Sequence, residues 1–363
     1  MIDKKLKWGI LGAARVNERL LPAIIEANNA ELVAIASRRA GAAKATLEKY
    51  APANFSENDR QNITCYDDLQ SLITDPNVEA IYCPMANEEH AQWAIKAINA
   101  GKHVLIEKPM ATTLEDIEAI EAAAKKANVK VMEGFMYRFH PQHARVKEVV
   151  ESGLIGDVLS ARASFSFLMK PARMYRINRS MADGGGAMWD IGPYAIHSLR
   201  WAFGLKKTGG LNNHAGERPY DVPLNCIATA KLNEHGADIV TSGVLDFGQD
   251  SQGRARFGHF DISFERSRKS EYELIGDKGW LKCHTVWAFE QDIPVISWGT
   301  DAGESGYEEL APANHFVAEI EHFSDCVLNQ KPLVLTFDDA KLNCKVIQAV
   351  LQSCACGAVV ALD

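Results

Sequence analysis

Apolar residues in the first third of the chain form short runs that alternate with helical patterns. The runs are rich in Val, Ile and Leu, which is typical of strands buried on both faces of a parallel sheet. This alternation of strand and helix predicts a doubly wound sheet. The predicted strands cover residues 6–11, 31–37, 78–83, 102–107 and 129–133, and the predicted helices cover residues 15–28, 40–50, 88–100 and 113–127.

The pattern changes after about residue 155. Segments from DVLSARASFSF to GWLKCHTVW alternate apolar and polar residues, and few helical patterns separate them. This favours a largely antiparallel sheet in a second, α+β domain. Two helical stretches, 313–329 and 336–356, close the chain. We therefore expect a first domain at residues 1–125 and a second at 126–363.

Composition narrows the class of protein. The 363 residues are 47% hydrophobic and 24% charged, as in an ordinary globular protein of two domains. The net charge is 39 − 47 = −8 and no dense basic stripe occurs, which argues against nucleic-acid binding. The chain has no apolar stretch near the roughly 20 residues of a membrane span. The start lacks a signal-peptide pattern and the eight cysteines are scattered, so we expect a cytoplasmic protein without membrane contact.

The segment LKWGILGAARVNERL has the outline of a strand, a tight turn and a helix. A dinucleotide-binding turn usually carries three glycines, for the turn, for close approach of the pyrophosphate and for packing of helix on strand. The three positions here are Gly12, Ala14 and Asn17. Ala14 adds only one methyl group at the second position. Asn17 is bulkier than glycine, which counts against the third role, close packing of helix on strand. The motif alone leaves two possibilities open, a nucleotide site and the first βα unit of another α/β protein.

The end of the second predicted strand favours the nucleotide site. An NAD site usually has an acidic residue there for the ribose 2′-hydroxyl, but this chain has Ser37, Arg38 and Arg39. A hydroxyl followed by guanidinium groups suits a 2′-phosphate. A solvated basic turn is the alternative. The sequence predicts NADP(H) as cofactor, and the contacts predicted in the two turns are Gly12, Ala13, Ala14, Arg15, Val16, Ser37, Arg38 and Arg39.

Several motifs in a fixed order resemble a known family. AIYCPMANEEHAQWAIKAINAGKHVLIEKPMA contains an E-K-P signature, and MEGFMYRFHPQH, GGGAMWDIGPYAIH and NHFVAEIEHF follow it. Together they are similar to the glucose–fructose oxidoreductase / inositol dehydrogenase (Gfo/Idh/MocA) family over nearly the whole chain. The resemblance implies an N-terminal Rossmann domain and a C-terminal domain with an open-faced sheet that carries the substrate. It also implies a homodimer or homotetramer, in which that sheet meets its copy in another subunit.

Lys108, in the E-K-P signature, is the first candidate catalytic residue. It follows Glu107 at the carboxyl end of a predicted parallel strand, where such sheets bind ligands. Pro109 restricts the backbone of Lys108. A fixed ammonium group at this point can donate to a substrate oxygen and favour deprotonation of a nearby hydroxyl. A surface lysine without function is the alternative.

Asp190, Tyr194 and His197 form a second candidate group. Asp190 and Tyr194 are four residues apart, so one helix would carry both on one face, with His197 near it. The resemblance to the tyrosine branch, which includes dimeric dihydrodiol dehydrogenase, implies that Tyr194 is the general acid/base. It also implies that Lys108 lowers the tyrosine pKa from its usual value of about 10 and that Asp190 orients the substrate. The alternative is that Tyr194 only packs its helix against the sheet.

The remaining candidates support these groups. Pro84, Asn87 and His90 are predicted cofactor contacts, because the segment PMANEEH is similar to the family's P-N-x-x-H segment, although it is longer by two residues between its proline and asparagine. Glu107 and Lys108 of the E-K-P signature are predicted cofactor contacts as well. Arg138, Arg176 and His197 are predicted substrate contacts, and an ion pair with a structural role is the alternative for each arginine. No histidine or cysteine spacing indicates a metal site.

These residues lead to one principal function and two alternatives. The principal one is an NADP(H)-dependent oxidoreductase that acts on a sugar, polyol or related cyclic alcohol or carbonyl. A catalytically silent NADP-binding regulator of the same fold is the first alternative, and the presence of Lys108, Asp190 and Tyr194 together argues against it. A glycosidase that uses bound NAD is the second, and the basic turn at residues 37–39 argues against it.

Overall fold

A computed structural model gives the fold and describes residues 4–205, 221–287 and 293–362. These residues belong to two compact units, bounded at Met1–Phe139 with Asn314–Ala340 and at His140–Ala313 with Lys341–Asp363. Among the described residues, no helix combines the length and apolar character needed to cross a membrane.

The first unit contains a parallel sheet with the strand order 3-2-1-4-5-6. This order is that of a Rossmann fold, and it confirms the predicted doubly wound sheet. Its strands are β1 (Leu6–Leu11), β2 (Ala30–Ala36), β3 (Thr64–Tyr66), β4 (Ala80–Cys83), β5 (His103–Glu107) and β6 (Val131–Gly134). Its helices are α1 (Asn17–Glu26), α2 (Ala42–Tyr50), α3 (Glu57–Gln61), α4 (Leu69–Thr74), α5 (His90–Asn99), α6 (Leu114–Ala127) and, late in the chain, α10 (His315–Leu328).

The predicted boundary between residues 125 and 126 differs from the division into units. β6 pairs in parallel with β5, so the first sheet continues beyond that boundary to Gly134. The later helix α10 also belongs to this unit: Ser324 Oγ accepts a hydrogen bond of 3.0 Å from Trp8 Nε1, and Phe323 packs 5.3 Å from the Trp8 ring. Trp8 and Ser324 are 316 positions apart in the sequence. The hydrophobic pattern does not show that a helix so late in the chain belongs to the first unit.

The second unit contains a larger sheet, antiparallel except for the pair β7–β10. This confirms the predicted α+β second domain. Its strands are β7 (Val158–Ser166), β8 (Asn225–Leu232), β9 (Asp238–Gln249), β10 (Ala255–Ser263), β11 (Lys269–Gly276), β12 (Gly279–Cys283), β13 (Val295–Thr300), β14 (Ser305–Glu309) and β15 (Val360–Ala361). The remaining helices are α7 (Pro141–Glu151), α8 (Ala187–Asp190), α9 (Gly192–Gly204) and α11 (Phe337–Cys356).

The two faces of the second sheet differ in burial. On one face, Ala161, Ala163 and Phe165 of β7 are buried, and α9 packs against β7 and β10. Strand residues alternate between faces, so the residues between these three point to the opposite face. That face is exposed along several strands. On β7, for example, Arg162 lies on this face and is exposed.

Candidate active site

The turn after β1 has the geometry of a dinucleotide-binding loop. Gly12 has φ +125°, a conformation that L side chains rarely adopt, and its N–H donates to Ala36 O at 2.9 Å. Asn17 begins α1, is fully buried, and donates from Nδ2 to Gly12 O at 2.8 Å. Asn17 therefore closes the turn with a side-chain hydrogen bond, whereas a glycine at this position would allow close packing of helix on strand. A pyrophosphate would meet the backbone N–H groups of this turn rather than those of Asn17 and Glu18, which donate to Ala14 O and Arg15 O.

The other residues of this turn lie as predicted between β1 and α1. Ala13, Ala14 and Val16 are half-buried, and Arg15 is exposed. The guanidinium group of Arg15 lies 3.4 Å from Glu18 at the start of α1. The turn thus offers backbone groups and one exposed cation to a ligand.

Ser37, Arg38 and Arg39 follow β2 at the same edge of the sheet. Ser37 is buried and its Oγ accepts from the Arg39 N–H at 3.2 Å, while Arg39 Nη2 lies 3.4 Å from Ala13 O in the first turn. Arg38 forms a two-pronged ion pair with Glu89, with distances of 2.5 and 3.0 Å. The hydroxyl and two guanidinium groups fit a 2′-phosphate. The Glu89 partner of Arg38 was not predicted from the sequence.

The neighbours of Lys108 in the E-K-P turn after β5 fix its backbone in place. Lys108 is buried, with 9% of its surface exposed. The Tyr82 hydroxyl donates to Glu107 Oε1 at 2.5 Å, and the Lys108 N–H donates to Glu107 Oε2 at 3.3 Å. Glu107 therefore connects β4 to the backbone of Lys108. This arrangement favours a structural role for Glu107 over the predicted contact with the cofactor.

His90 and Glu133 hold the other side of the same turn. His90 is fully buried, with Nδ1 at 2.7 Å from Pro109 O and Nε2 at 2.9 Å from Met85 O. Burial lowers the pKa of the His90 imidazole. Glu133 Oε1 accepts from the Met110 N–H at 2.7 Å. Because both ring nitrogens of His90 face backbone carbonyls, the structure favours a positioning role for it over the predicted contact with the cofactor.

Three further predicted residues of the first unit lie near the ends of its strands. Pro84 follows β4 and is buried, and Asn87 begins the short 3₁₀ segment Asn87–Glu89 and is half-buried. Arg138 lies in the 3₁₀ segment Met136–Phe139 and is half-buried. Their contacts with cofactor or substrate remain predictions.

In the second unit, Asp190 and Tyr194 lie on different helices. Asp190 is the last residue of α8, and Tyr194 lies in the first turn of α9. The chain departs from helical geometry at Ile191, where φ is −119°. The prediction that one helix carries both residues on one face was therefore wrong. Pro193 explains the break, because proline is favoured in the first turn of a helix and not in its interior.

Arg176 forms an ion pair with Asp190, which brings together two predicted substrate residues. Arg176 ends the 3₁₀ segment Pro171–Arg176, and its Nε donates to the Tyr175 hydroxyl at 3.2 Å. The Asp190 side chain is 9% exposed and that of Arg176 is 34% exposed. The guanidinium group of Arg176 is thus partly exposed, and its ion pair fixes the direction of the nearly buried Asp190 carboxylate.

Tyr194 lies beside aromatic rings. The ring is 7% exposed, and it lies 5.8 Å from Phe165 and 6.3 Å from Trp287. Phe165 and Trp287 stack on each other at 5.1 Å. His197, one turn later in α9, has no exposed surface, which does not favour its predicted contact with substrate. His197 also carries a titratable group on this helix, and Tyr194 is the more accessible of the two.

Comparison with known proteins agrees with both units. Residues 6–135 match the model of an oxidoreductase family with an NAD-binding Rossmann fold, and residues 143–282 match the GFO/IDH/MocA C-terminal domain. The chain belongs to the Gfo/Idh/MocA family. This confirms the resemblance and the prediction of an NAD(P)-dependent oxidoreductase.

Relatives within the Gfo/Idh/MocA family span almost the whole chain. A D-xylose 1-dehydrogenase (NADP⁺) from Haloferax volcanii is 29% identical, covering 99% of this chain and 100% of its own. A trans-1,2-dihydrobenzene-1,2-diol dehydrogenase from Xenopus tropicalis is 30% identical, covering 95% and 97%. The solved structure of a 3-ketoreductase from Actinomadura kijaniata, in complex with NADP and TDP-benzene, superposes with a TM-score of 0.80 at 26% identity, covering 96% and 98%.

In this Gfo/Idh/MocA protein the sequence indicated neither the hydrogen bond of Asn17 nor the positions of Glu89, Phe165 and Trp287 beside predicted residues. Asn17 and Glu89 act through hydrogen bonds to Gly12 O and Arg38, and Phe165 and Trp287 act through ring contacts. A polar residue in place of the third glycine was a usable signal for Asn17. The other three have no local signal, because their partners lie far away in the sequence.

Proposed function

We propose that this protein is an NADP(H)-dependent oxidoreductase that transfers a hydride between the nicotinamide and a sugar, polyol or related cyclic alcohol or carbonyl. The family supports the reaction class. Relatives named for D-xylose and for a cyclic diol support a carbinol carbon as the reacting centre. The 3-ketoreductase bound to NADP supports the choice of cofactor.

The Arg176–Asp190 pair and Tyr194, all in the second unit, carry the proposal. They combine a phenol in an aromatic environment with a carboxylate whose direction is fixed by an arginine. A polyhydroxylated substrate presents several hydroxyl groups, and a carboxylate–guanidinium pair can accept and donate hydrogen bonds to them. A phenol can exchange the proton that accompanies hydride transfer.

Each of these groups has one proposed role. The cofactor, when bound, supplies the hydride chemistry. Tyr194 gives a proton to the carbonyl oxygen, or takes one from the hydroxyl in the opposite direction. Lys108 assists because a cation favours the phenolate form of the tyrosine. Asp190 orients the substrate through its hydroxyl groups, and Arg176 holds Asp190 in place.

A panel of aldoses, inositols and dicarbonyl compounds tests the function. Each compound is mixed with the protein and with NADP⁺ or NADPH, and the absorbance of the reduced nicotinamide is followed. We expect turnover with at least one polyhydroxylated compound. A protein that binds NADP(H) but turns over no member of the panel would support the silent regulator instead.

Cofactor preference gives a prediction for Arg38. We expect the unaltered protein to bind NADP(H) more tightly than NAD(H), and Arg38→Asp to weaken NADP(H) binding by roughly 10- to 100-fold, the usual value of a hydrogen bond to a charged group. NAD(H) binding should change little, because NAD(H) lacks the 2′-phosphate. Titration of each cofactor by calorimetry measures both effects.

Lys44→Asp is the matched control for Arg38→Asp. Lys44 lies in α2 of the same unit, its side chain is 75% exposed, and the substitution makes the same change in net charge. It should leave the ratio of the two affinities unaltered. Equal or tighter binding of NAD(H) by the unaltered protein would contradict the assignment of the basic turn.

The exposed face of the second sheet supports a proposal that the protein is a homo-oligomer. Ile227, Phe257, Trp280 and Tyr307 lie on four strands, and strand register places them on the same face. Their exposed fractions run from 39% to 66%. A surface of this kind across an open sheet is typical of an interface between subunits.

We therefore predict a two-fold dimer, or a tetramer built from such dimers, at micromolar concentration. Light scattering measures the mass, and Trp280→Lys should shift the protein toward monomer because a charged side chain would enter the interface. Lys44→Asp, in the other unit, should leave the mass unaltered. A monomer at all micromolar concentrations would remove this proposal.

A further inference from the structure

A buried aspartate on the second sheet contacts the start of α8. Asp238 is the first residue of β9 and has no exposed surface. Its Oδ2 accepts a hydrogen bond of 2.8 Å from the backbone N–H of Met188 and one of 2.6 Å from the hydroxyl of Thr241. Burial raises the pKa of the Asp238 carboxyl to about 6, although these hydrogen bonds act in the opposite direction.

The glycine run before α8 is shaped around this carboxylate. Gly186 has φ +101°, and a Cβ atom at that position would overlap Asp238 Oδ1. The carboxylate therefore takes the space that a side chain at residue 186 would fill. Gly185 is equally restricted, because its Cβ would overlap the backbone of Arg179. The backbone of this loop thus approaches β9 closely enough for Asp238 to reach the first N–H groups of the helix.

The hairpin between β8 and β9 holds the segment from Arg176 to α8 at other points. Asn233 Nδ2 donates to Ile177 O at 2.7 Å, and the Met181 N–H donates to Gly236 O at 3.2 Å. The Gly186 N–H donates to Arg176 O at 2.9 Å, so the two ends of the segment meet. Arg176 and the helix that ends in Asp190 are thereby fixed by one hairpin and the residue that follows it.

We propose that Asp238 is a positioning residue that sets the place of the Arg176–Asp190 pair by anchoring α8. This inference rests on the proposed function, in which Asp190 orients the substrate. α8 has only four residues, so its own backbone hydrogen bonds cannot hold it in place. The helix therefore depends on Asp238, which accepts a hydrogen bond from the Met188 N–H in its first turn. When that hydrogen bond is lost, Asp190 moves. Displacement of a substrate-orienting group by about 1 Å can cost about 10²-fold in rate.

Three variants of different severity test the inference. Asp238→Ala removes both hydrogen bonds, Asp238→Asn keeps one carbonyl oxygen as acceptor, and Thr241→Val removes only the hydroxyl donor. Ser353→Ala is the matched control. Ser353 is fully buried in the same unit, its Oγ accepts from the Ala228 N–H at 3.0 Å, and it donates to Ala358 O at 2.7 Å, so the substitution removes a buried anchor of another helix.

Hydrogen exchange followed by mass spectrometry gives the first measurement, because it needs no substrate. In Asp238→Ala and Asp238→Asn, amides of residues 184–191 should exchange roughly 5-fold faster or more than in the unaltered protein, the usual value of one lost hydrogen bond, while peptides of α11 stay unchanged. In Ser353→Ala, peptides of α11 should exchange faster, while the amides of residues 184–191 stay unchanged. If Asp238→Ala fails to fold, Asp238→Asn and Thr241→Val still report the same peptide. Unchanged exchange at 184–191 in every folded Asp238 variant would overturn the proposal.

Kinetics give the second measurement, with a compound that the unaltered protein turns over. We expect kcat/KM to fall about 10- to 100-fold in Asp238→Asn, with NADPH affinity unchanged, while Ser353→Ala retains kcat/KM whatever its effect on melting temperature. Faster exchange at 184–191 with unaltered kcat/KM would overturn the positioning role and leave Asp238 a structural residue. No turnover by the unaltered protein would overturn the proposed function, and with it the role of Asp190, while exchange would still show whether Asp238 anchors the helix.

Discussion

Replacing Tyr194 with phenylalanine is expected to lower kcat by about 10²–10⁴-fold, the usual share of general acid–base catalysis. The substitution deletes one hydroxyl group and keeps the ring that contacts Phe165 and Trp287. Packing around α9 should therefore persist, and so should NADP(H) binding. Steady-state kinetics give kcat, and calorimetric titration gives the affinity for the cofactor.

Tyr272→Phe is the control for the loss of a tyrosine hydroxyl. Tyr272 is buried in the same unit, and its hydroxyl lies 2.9 Å from His143 Nδ1. We expect a lower melting temperature and nearly full activity. If Tyr194→Phe stays nearly fully active while His197→Ala is inactive, histidine is the acid. Equal losses in both variants would require single-turnover rates to separate proton transfer from positioning.

Lys108→Met is the second substitution with a large expected effect. Methionine keeps much of the side-chain length and removes the ammonium group, so kcat should fall by about 10²-fold or more. Without a cation the neutral phenol is favoured, and proton loss from Tyr194 needs a higher pH. In the direction of carbonyl reduction, which needs the protonated phenol, residual activity should therefore show a basic limb shifted to higher pH. A pH–rate profile of the variant measures both effects.

Lys102→Met is the matched control, because Lys102 is also a buried lysine of the first unit. Its Nζ donates to Asp75 O at 2.6 Å and to Val78 O at 2.7 Å. Losing these bonds should cost about 1–3 kcal/mol of unfolding free energy while kcat is retained. An active Lys108→Met protein with an unshifted pH profile would show that Lys108 does not assist the acid/base group.

The hydrophobic pattern predicted the fold class well because buried strands leave a local signal. β1, β2, β4, β5 and β6 are short apolar runs, and the structure confirms each within two residues at either end. The edge strand β3 was missed, because it has only three residues and lies partly exposed. β13 and β14 were also missed, since short strands on an open sheet carry few consecutive apolar residues.

The candidate site was predictable where a motif is continuous in sequence and not where it depends on distant partners. The motifs indicate Lys108, Asp190 and Tyr194, whose roles stay predictions. They did not show the ion pair between Arg38 and Glu89, which joins residues 51 positions apart. They also did not show Asp238, which reaches Met188 across 50 positions. Such contacts depend on sheet register, which only the folded chain defines.

Direct transfer of deuterium tests the central claim. A carbohydrate that is active in the panel is labelled with deuterium at its reacting carbinol carbon and incubated with the protein and NADP⁺. The reduced nicotinamide is then analysed by proton NMR. If this protein transfers a hydride from carbon to the nicotinamide, deuterium appears at C4 of the reduced cofactor, and Tyr194→Phe slows its appearance by the same factor as kcat. Deuterium that appears in solvent, or stays in the carbohydrate while NADP⁺ is reduced, would contradict the account.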